Sequence, residues 1–220
     1  MSRPSAKTSV RATYRHGDLR RALLEAGIAL AREGGPSAVV LREATRRAGV
    51  VPNAAYRHFA NHAQLLQAVR AAALSLVAQS MEAELDAVPA IEGRVTKAAA
   101  AARARACVGA VGRGYMRFAL REPGLFRIAF LQSAAAETDK NPENAGRSGL
   151  NPFELLGAAL DGMVQAGVLP PGRRPGAEYV AWSAVHGLAM LAIDGPLHGM
   201  PPARVEALGE RVLAMVEGGL

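Results

Sequence analysis

Four side chains able to bind nucleic acid fall within six residues. Asn53, Tyr56, Arg57 and His58 stand in the run RRAGVVPNAAYRHF, Arg46 to Phe59. An asparagine amide can pair with adenine through N6 and N7, and an arginine fork matches guanine O6 and N7. Tyrosine, histidine and the backbone N–H groups of a helix start suit phosphate oxygens. Asn53 can equally do no more than cap its helix, and both readings stand at this point. Val50 and Phe59 are apolar enough to anchor the same segment to a core, and Gly49 permits a sharp turn just before it.

The charge is placed to match. Residues 1–70 hold 12 Lys+Arg and 4 Asp+Glu, whereas the remaining 150 hold 14 and 15. The whole excess of +7 therefore lies in the first third of the chain. A concentrated basic segment points to a polyanion, either nucleic acid or an anionic membrane. Charge alone would also fit a merely solvated basic face.

These side chains need elements to carry them. Alanine, leucine, arginine and glutamate dominate and β-branched runs are scarce, so the composition predicts an all-α fold. Residues 1–16 read as a flexible basic arm. Leu19, Leu23, Ala26 and Leu30 form one apolar stripe of a first helix. Asp18 is its expected N-cap, and Gly34-Gly35-Pro36 its stop. Leu41, Ala44 and Ala48 make a second, two-turn helix ended by Gly49. Pro52 can open a third, short helix running to about Phe59. Asn61 with Gln64 resembles a capping box for a long fourth helix. Its expected stripe is Leu65, Val69, Ala72 and Leu76.

Further on, residues from about 94 to 121 predict one long helix or two, ended by Pro123-Gly124. After a short apolar piece, AAAETDKNPENAGRSG reads as a mobile polar loop. Asn151-Pro152 opens another helix. Tyr179, Trp182, His186, Ala189 and Ile193 repeat at helical spacing, and Val205, Leu208, Val212 and Met215 give a last helix.

Two short helices joined by a glycine turn, behind a longer supporting helix, are the pattern of a helix-turn-helix. Residues 18–66, with LREATRRAGV, AYRHF and LLQAV, resemble the N-terminal domain of the TetR family of bacterial transcriptional regulators. The resemblance implies that Tyr56 and His58 hold backbone phosphates. It implies that Val51, Pro52, Asn53 and Ala54 approach bases, that Thr45 and Arg46 line the entry of the second helix, and that His62 stands where that family commonly has a lysine. Arg57 joins this set from its own chemistry. The sequence departs from the family at the caps. Val40 and Val51 stand where Ser or Thr is usual before the second and third helices, and Asn53 replaces a glycine. A lost N-cap costs about 0.5–2 kcal/mol.

The second half is similar to a TetR C-terminal class named for a Trp-His-Gly element, here Trp182, His186 and Gly187, over roughly residues 95–217. That resemblance implies a homodimer through the last two helices. The apolar stripes there would serve an internal core just as well. Function favours the dimer, because two recognition helices related by a dyad can read a palindromic operator whose half-sites lie roughly 34–36 Å apart. Tyr115, Phe118, Phe126, Phe130, Met163, Trp182, His186 and Met190 are the candidate pocket for a small, largely apolar effector, and the same residues would fill an ordinary core. The expected organisation is an arm at 1–16, a helix-turn-helix domain at 17–62 and a ligand-binding and dimerisation domain at 63–220.

Other classes fit less well. His58 and His62 have the i,i+4 spacing of metal ligands, but Asn61 interrupts the helix between them and no third ligand is near. GAVGRG, residues 109–114, follows no strand, so it makes no dinucleotide fingerprint. Neither G-x-S-x-G nor a Walker motif occurs. The expectation is therefore a repressor rather than an enzyme, without cofactor or metal. The chain holds one cysteine, Cys107, in an apolar stretch, which reads as a buried structural thiol in a reducing compartment. MSRPSAKTSVRATYRHG has no apolar signal core and no apolar run approaches the roughly 20 residues of a membrane span, so the expected location is the cytoplasm, away from membranes.

Overall fold

The structure is a computed structural model that describes residues 16–131 and 141–220. Nine α-helices and no strand order the described residues. The all-α expectation is met. Of the basic arm only His16 is described, and it already belongs to the first helix.

Helix α1, His16–Gly34, buries all four residues of its expected stripe: Leu19, Leu23, Ala26 and Leu30. It begins a turn ahead of that stripe, so Asp18 lies inside the first turn and is not the N-cap. Gly35, at φ +65°, stops the helix and its N–H donates to Ala31 O at 2.8 Å.

Helix α2, Leu41–Arg47, starts at Val40 with no side-chain cap. It ends in a Schellman motif: Val50 N–H donates to Thr45 O at 3.1 Å and Gly49 N–H to Arg46 O at 3.3 Å. Gly49 sits at φ +68°, which a residue with a Cβ adopts only under strain. Helix α3, Pro52–Ala55, is shorter than the expected run to Phe59. His58 and Phe59 both direct their N–H groups to Ala55 O, each at 2.9 Å, which closes the helix early.

Helix α4, His62–Asp86, is capped by Asn61, whose side chain accepts from Gln64 N–H at 3.0 Å. Gln64 reaches back to the N–H of Ala60, not of Asn61, at 2.8 Å. The buried face includes Leu65, Val69, Ala73, Val77 and Met81, while Ala72 and Leu76 of the expected stripe are only half-buried. The stripe shifts because α4 packs on α1 near its start and on later helices along the rest. Gly27 of α1 sits against Leu65 and Val69, letting the two helices cross closely.

Helix α5, Lys97–Arg121, is a single helix capped by Thr96. Its GAVGRG run makes helix crossings: Gly112 faces Leu213, and Gly114 faces the backbone of Ser80 and Met81. It ends at Arg121, just before Pro123-Gly124 as expected, and Pro123 also opens the next helix. Helix α6, Pro123–Ala129, follows α5 after the single residue Glu122.

Residues 134–140 of the expected mobile loop lie outside the described residues. Residues 141–150 form a fitted strap on α4. Glu82, almost wholly buried, accepts from the N–H groups of Arg147 and Ser148 at 2.9 and 2.8 Å and from Ser148 Oγ at 2.6 Å. Ser75 Oγ donates to Ala145 O at 2.7 Å. Helix α7, Pro152–Gln165, carries a full capping box from Asn151 and Glu154. Helices α8, Ala177–Ile193, and α9, Pro202–Gly219, complete the bundle. One apolar cluster runs through both halves, from Leu19 to Leu220. No helix of the described residues is long and apolar enough to cross a membrane.

Candidate functional site

Helices α2 and α3 are held by α1 through ion pairs and packing. Arg47 makes a forked pair with Glu33 of α1, both contacts at 2.6 Å, and also reaches Glu43. Ala44 and Ala55 are fully buried at the crossing, and the Arg20 guanidinium lies 5.5 Å from the centre of the buried Phe59 ring. Such a cation over an aromatic face adds to the anchoring.

Six of the ten sequence-expected residues are exposed on this scaffold. Val51 and Tyr56 are 68% and 56% exposed. Asn53, Arg57, Arg46 and His62 are also exposed, and Ala54 and His58 are half-buried. Pro52 heads α3. Thr45 corrects the expectation: it is 3% exposed, and its hydroxyl donates to Arg42 O at 2.6 Å. It is a packing residue under α2, with no surface for a groove. Arg46 carries a partner of its own, bonding Glu43 through Nε at 2.9 Å and Nη2 at 2.6 Å. The Arg46 guanidinium holds the Glu43 carboxyl down at about 2. The two stay ionised at neutral pH.

A second feature lies in the helical bundle. A cavity of about 630 Å³ opens between α4, α5, α7 and α8, with contributions from α6 and α9. Of the eight expected pocket residues, Tyr115, Phe130, Trp182 and His186 line it. Phe118, Phe126 and Met163 are buried in the core and outside the lining, and Met190 is half-buried and also outside it. Helical spacing marked apolar residues but could not tell which side of a packed helix faces the void. The sequence reading missed Arg70 and Leu74 of α4, Asn144 of the strap, and Phe153 and Tyr179. Only the aromatic pair carried a usable signal, since Tyr179 shares the spacing of Trp182 and His186.

Polar groups in this wall form a directed chain. Trp182 Nε1–H donates to the Tyr115 hydroxyl at 3.0 Å, and that hydroxyl lies 2.7 Å from His186 Nδ1. Burial pushes the Tyr115 phenol up and the His186 imidazole down, so both are neutral at pH 7. Cys107 is half-buried, not fully buried as expected, in the wall of a separate cavity of about 440 Å³ between α5 and α7.

Helix α6 joins the cavity to helix α1. Phe130, just after α6, lines the cavity, while Arg32 of α1 grips Glu122 through Nε at 3.0 and 3.1 Å. Gly124 packs on the Ala31 backbone, and Arg127 pairs with Asp194 at the end of α8.

Comparison with known proteins agrees with both halves. Residues 23–69 match the tetR family of bacterial regulatory proteins. Residues 108–216 match the tetracyclin repressor-like C-terminal domain. Comparison with curated proteins gives no match. Among solved structures, the chain is similar to a protein of unknown function from Rhodococcus sp. RHA1, at 25% identity and a TM-score of 0.70, covering 94% of this chain and 98% of that one. The TetR family regulator PfmR from Thermus thermophilus shares the fold at 19% identity and a TM-score of 0.53, covering 90% and 98%. TylP, a TetR regulator from Streptomyces fradiae, does so at 19% and 0.50, covering 91% and 87%. The chain therefore carries the N-terminal domain of the tetR family of bacterial regulatory proteins, followed by a tetracyclin repressor-like C-terminal domain.

Proposed function

We propose that this chain is a dimeric, sequence-specific DNA-binding repressor that a small, largely apolar effector releases from a palindromic operator. It would act in the cytoplasm, where bacterial DNA lies, and without catalysis. The observation that carries the reading is the exposed cluster of Asn53, Tyr56 and Arg57 at a four-residue helix whose other side is locked to α1. Tyr56 and His58 hold backbone phosphates, the Arg57 fork is suited to guanine, Arg46 lines the entry of α2, His62 stands at the start of α4, and the stretch Val51, Pro52, Asn53 and Ala54 approaches the bases. The domain division at residue 62 follows from the same reading.

The dimer is supported by apolar side chains left outward on the last two helices: Val180 and Leu191 on α8 and Met215 on α9, 58%, 44% and 62% exposed. Trp182 and His186 on the cavity side of α8, with an exposed Gly187, support assignment to the Trp-His-Gly class. The cavity supports the effector. Arg70 and Leu74 of α4 line it, and the start of the same helix buttresses α1. A ligand that binds one arrangement of α4 better shifts the population toward that arrangement and alters the spacing of the two recognition helices.

Binding of a labelled duplex tests the proposal against a membrane-surface role. Unlabelled specific DNA should compete, and anionic lipid vesicles should not. Competition by vesicles alone would overturn it.

A further inference from the structure

Two successive valines part company at the turn between α2 and α3. Val50 is half-buried and packs against the apolar core. Val51 is 68% exposed and immediately precedes α3. Its carbonyl accepts from Ala54 N–H at 3.0 Å, but its side chain has no oxygen with which to cap the helix. A valine here forgoes the stabilisation a capping hydroxyl supplies, and leaves its methyl groups in water.

The setting gives that side chain a meaning. Among the described residues before 95, the exposed large apolar and aromatic side chains are Val40, Val51 and Tyr56, all near α2 and α3. Arg46, Asn53, Tyr56 and Arg57, close to Val51 in the chain, are exposed as well. Residues 1–70 also carry the whole positive excess. The partner of this face therefore offers negative charge together with an apolar group. A single exposed valine is ordinary on most surfaces. This one stands where a helix-turn-helix reads sequence, because the N-terminal residues of the second helix contact base edges. Val40 precedes α2, the first helix, which crosses the backbone instead.

The base edges leave one choice. In the major groove guanine, adenine and cytosine present hydrogen-bond donors and acceptors, and thymine adds its C5-methyl group. That methyl is the apolar feature of the groove. A valine side chain neither donates nor accepts. Set against an exocyclic amine or a carbonyl oxygen, it would strip water from that group and return no hydrogen bond.

We infer that Val51 is a specificity-determining residue that packs on the C5-methyl group of one thymine in each half-site. The inference rests on the DNA-binding reading proposed above, and adds the base that the start of α3 selects.

The test uses the full-length protein and the duplex it selects from random, unmethylated DNA. Each thymine is replaced in turn by deoxyuridine, which keeps the base pair and lacks only the methyl group. Wild-type affinity should fall about four-fold at one position in each half-site, the weight of one buried methyl group. Val51→Ser should bind the thymine and uracil duplexes equally at that position. Val51→Ile should keep the discrimination, and so should Val40→Thr. Val51 is exposed, so these replacements leave the core intact. Wild-type binding that ignores every methyl group would overturn the inference, as would a methyl preference undiminished in Val51→Ser. Either result, with selective duplex binding retained, leaves the DNA-binding reading standing. A protein that selects no duplex at all overturns both.

Discussion

Gly124 lies so close to the Ala31 carbonyl oxygen that a methyl group at its Cα has no room. The first residue belongs to α6 beside the cavity and the second to α1 of the DNA-facing half. The contact joins the two halves. A rigid backbone cannot yield as a flexible side chain does. Gly124→Ala should therefore lower stability by about 1–3 kcal/mol, the usual range for overpacking. Urea unfolding reads this directly, and an unchanged midpoint would show that α6 does not bear on α1.

Tyr56 and Asn53 should separate under substitution. Tyr56→Ala is expected to weaken binding to all duplexes alike, since a phosphate contact carries no base information. Asn53→Ala should relax preference at one base pair by about 1–3 kcal/mol. Binding measured on a set of single-base operator variants checks both. A uniform loss for Asn53→Ala would mean that the amide only caps its helix.

Val40 leaves α2 uncapped, and its side chain is exposed. Val40→Thr should add about 0.5–2 kcal/mol to stability without touching the recognition helix. Thermal unfolding checks the gain, and operator affinity should stay unchanged.

Glu82 makes stability depend on acid. Burial pushes its carboxyl up, but the hydrogen bonds from Ser148 and Arg147 outweigh that and hold it below the ordinary value of 4.5. Its folded-state value is thus below its unfolded one. The stabilisation is present above pH 4.5 and is lost as pH falls through the lower folded-state value. Glu82→Gln should therefore be less stable than the wild-type protein at pH 7, with the gap closing on acidification. A gap that does not change with pH would mean that the charge on this carboxylate does not hold the strap.

The helices that bury one simple stripe were legible in the sequence. Leu19, Leu23, Ala26 and Leu30 behave as their spacing predicts because α1 packs mainly on one side. The α4 stripe was misassigned beyond Val69, because that helix is packed on several sides and periodicity then loses its direction. The outward residues of α3 were readable from their chemistry. Thr45 was not, since its burial depends on how α2 sits on its neighbours. Asn144 and the strap were hidden altogether: 141–150 reads as polar loop, and only the buried carboxylate of Glu82, distant in sequence, gives it a fixed shape.

The central claim is that two copies of α3 read duplex DNA as a symmetric pair. Selection of bound sequences from random duplexes by the purified protein tests it most directly. The expected result is an enriched inverted repeat with half-sites about one helical turn apart, or a multiple of that spacing. Enrichment of a single half-site, or of no sequence at all, would contradict it.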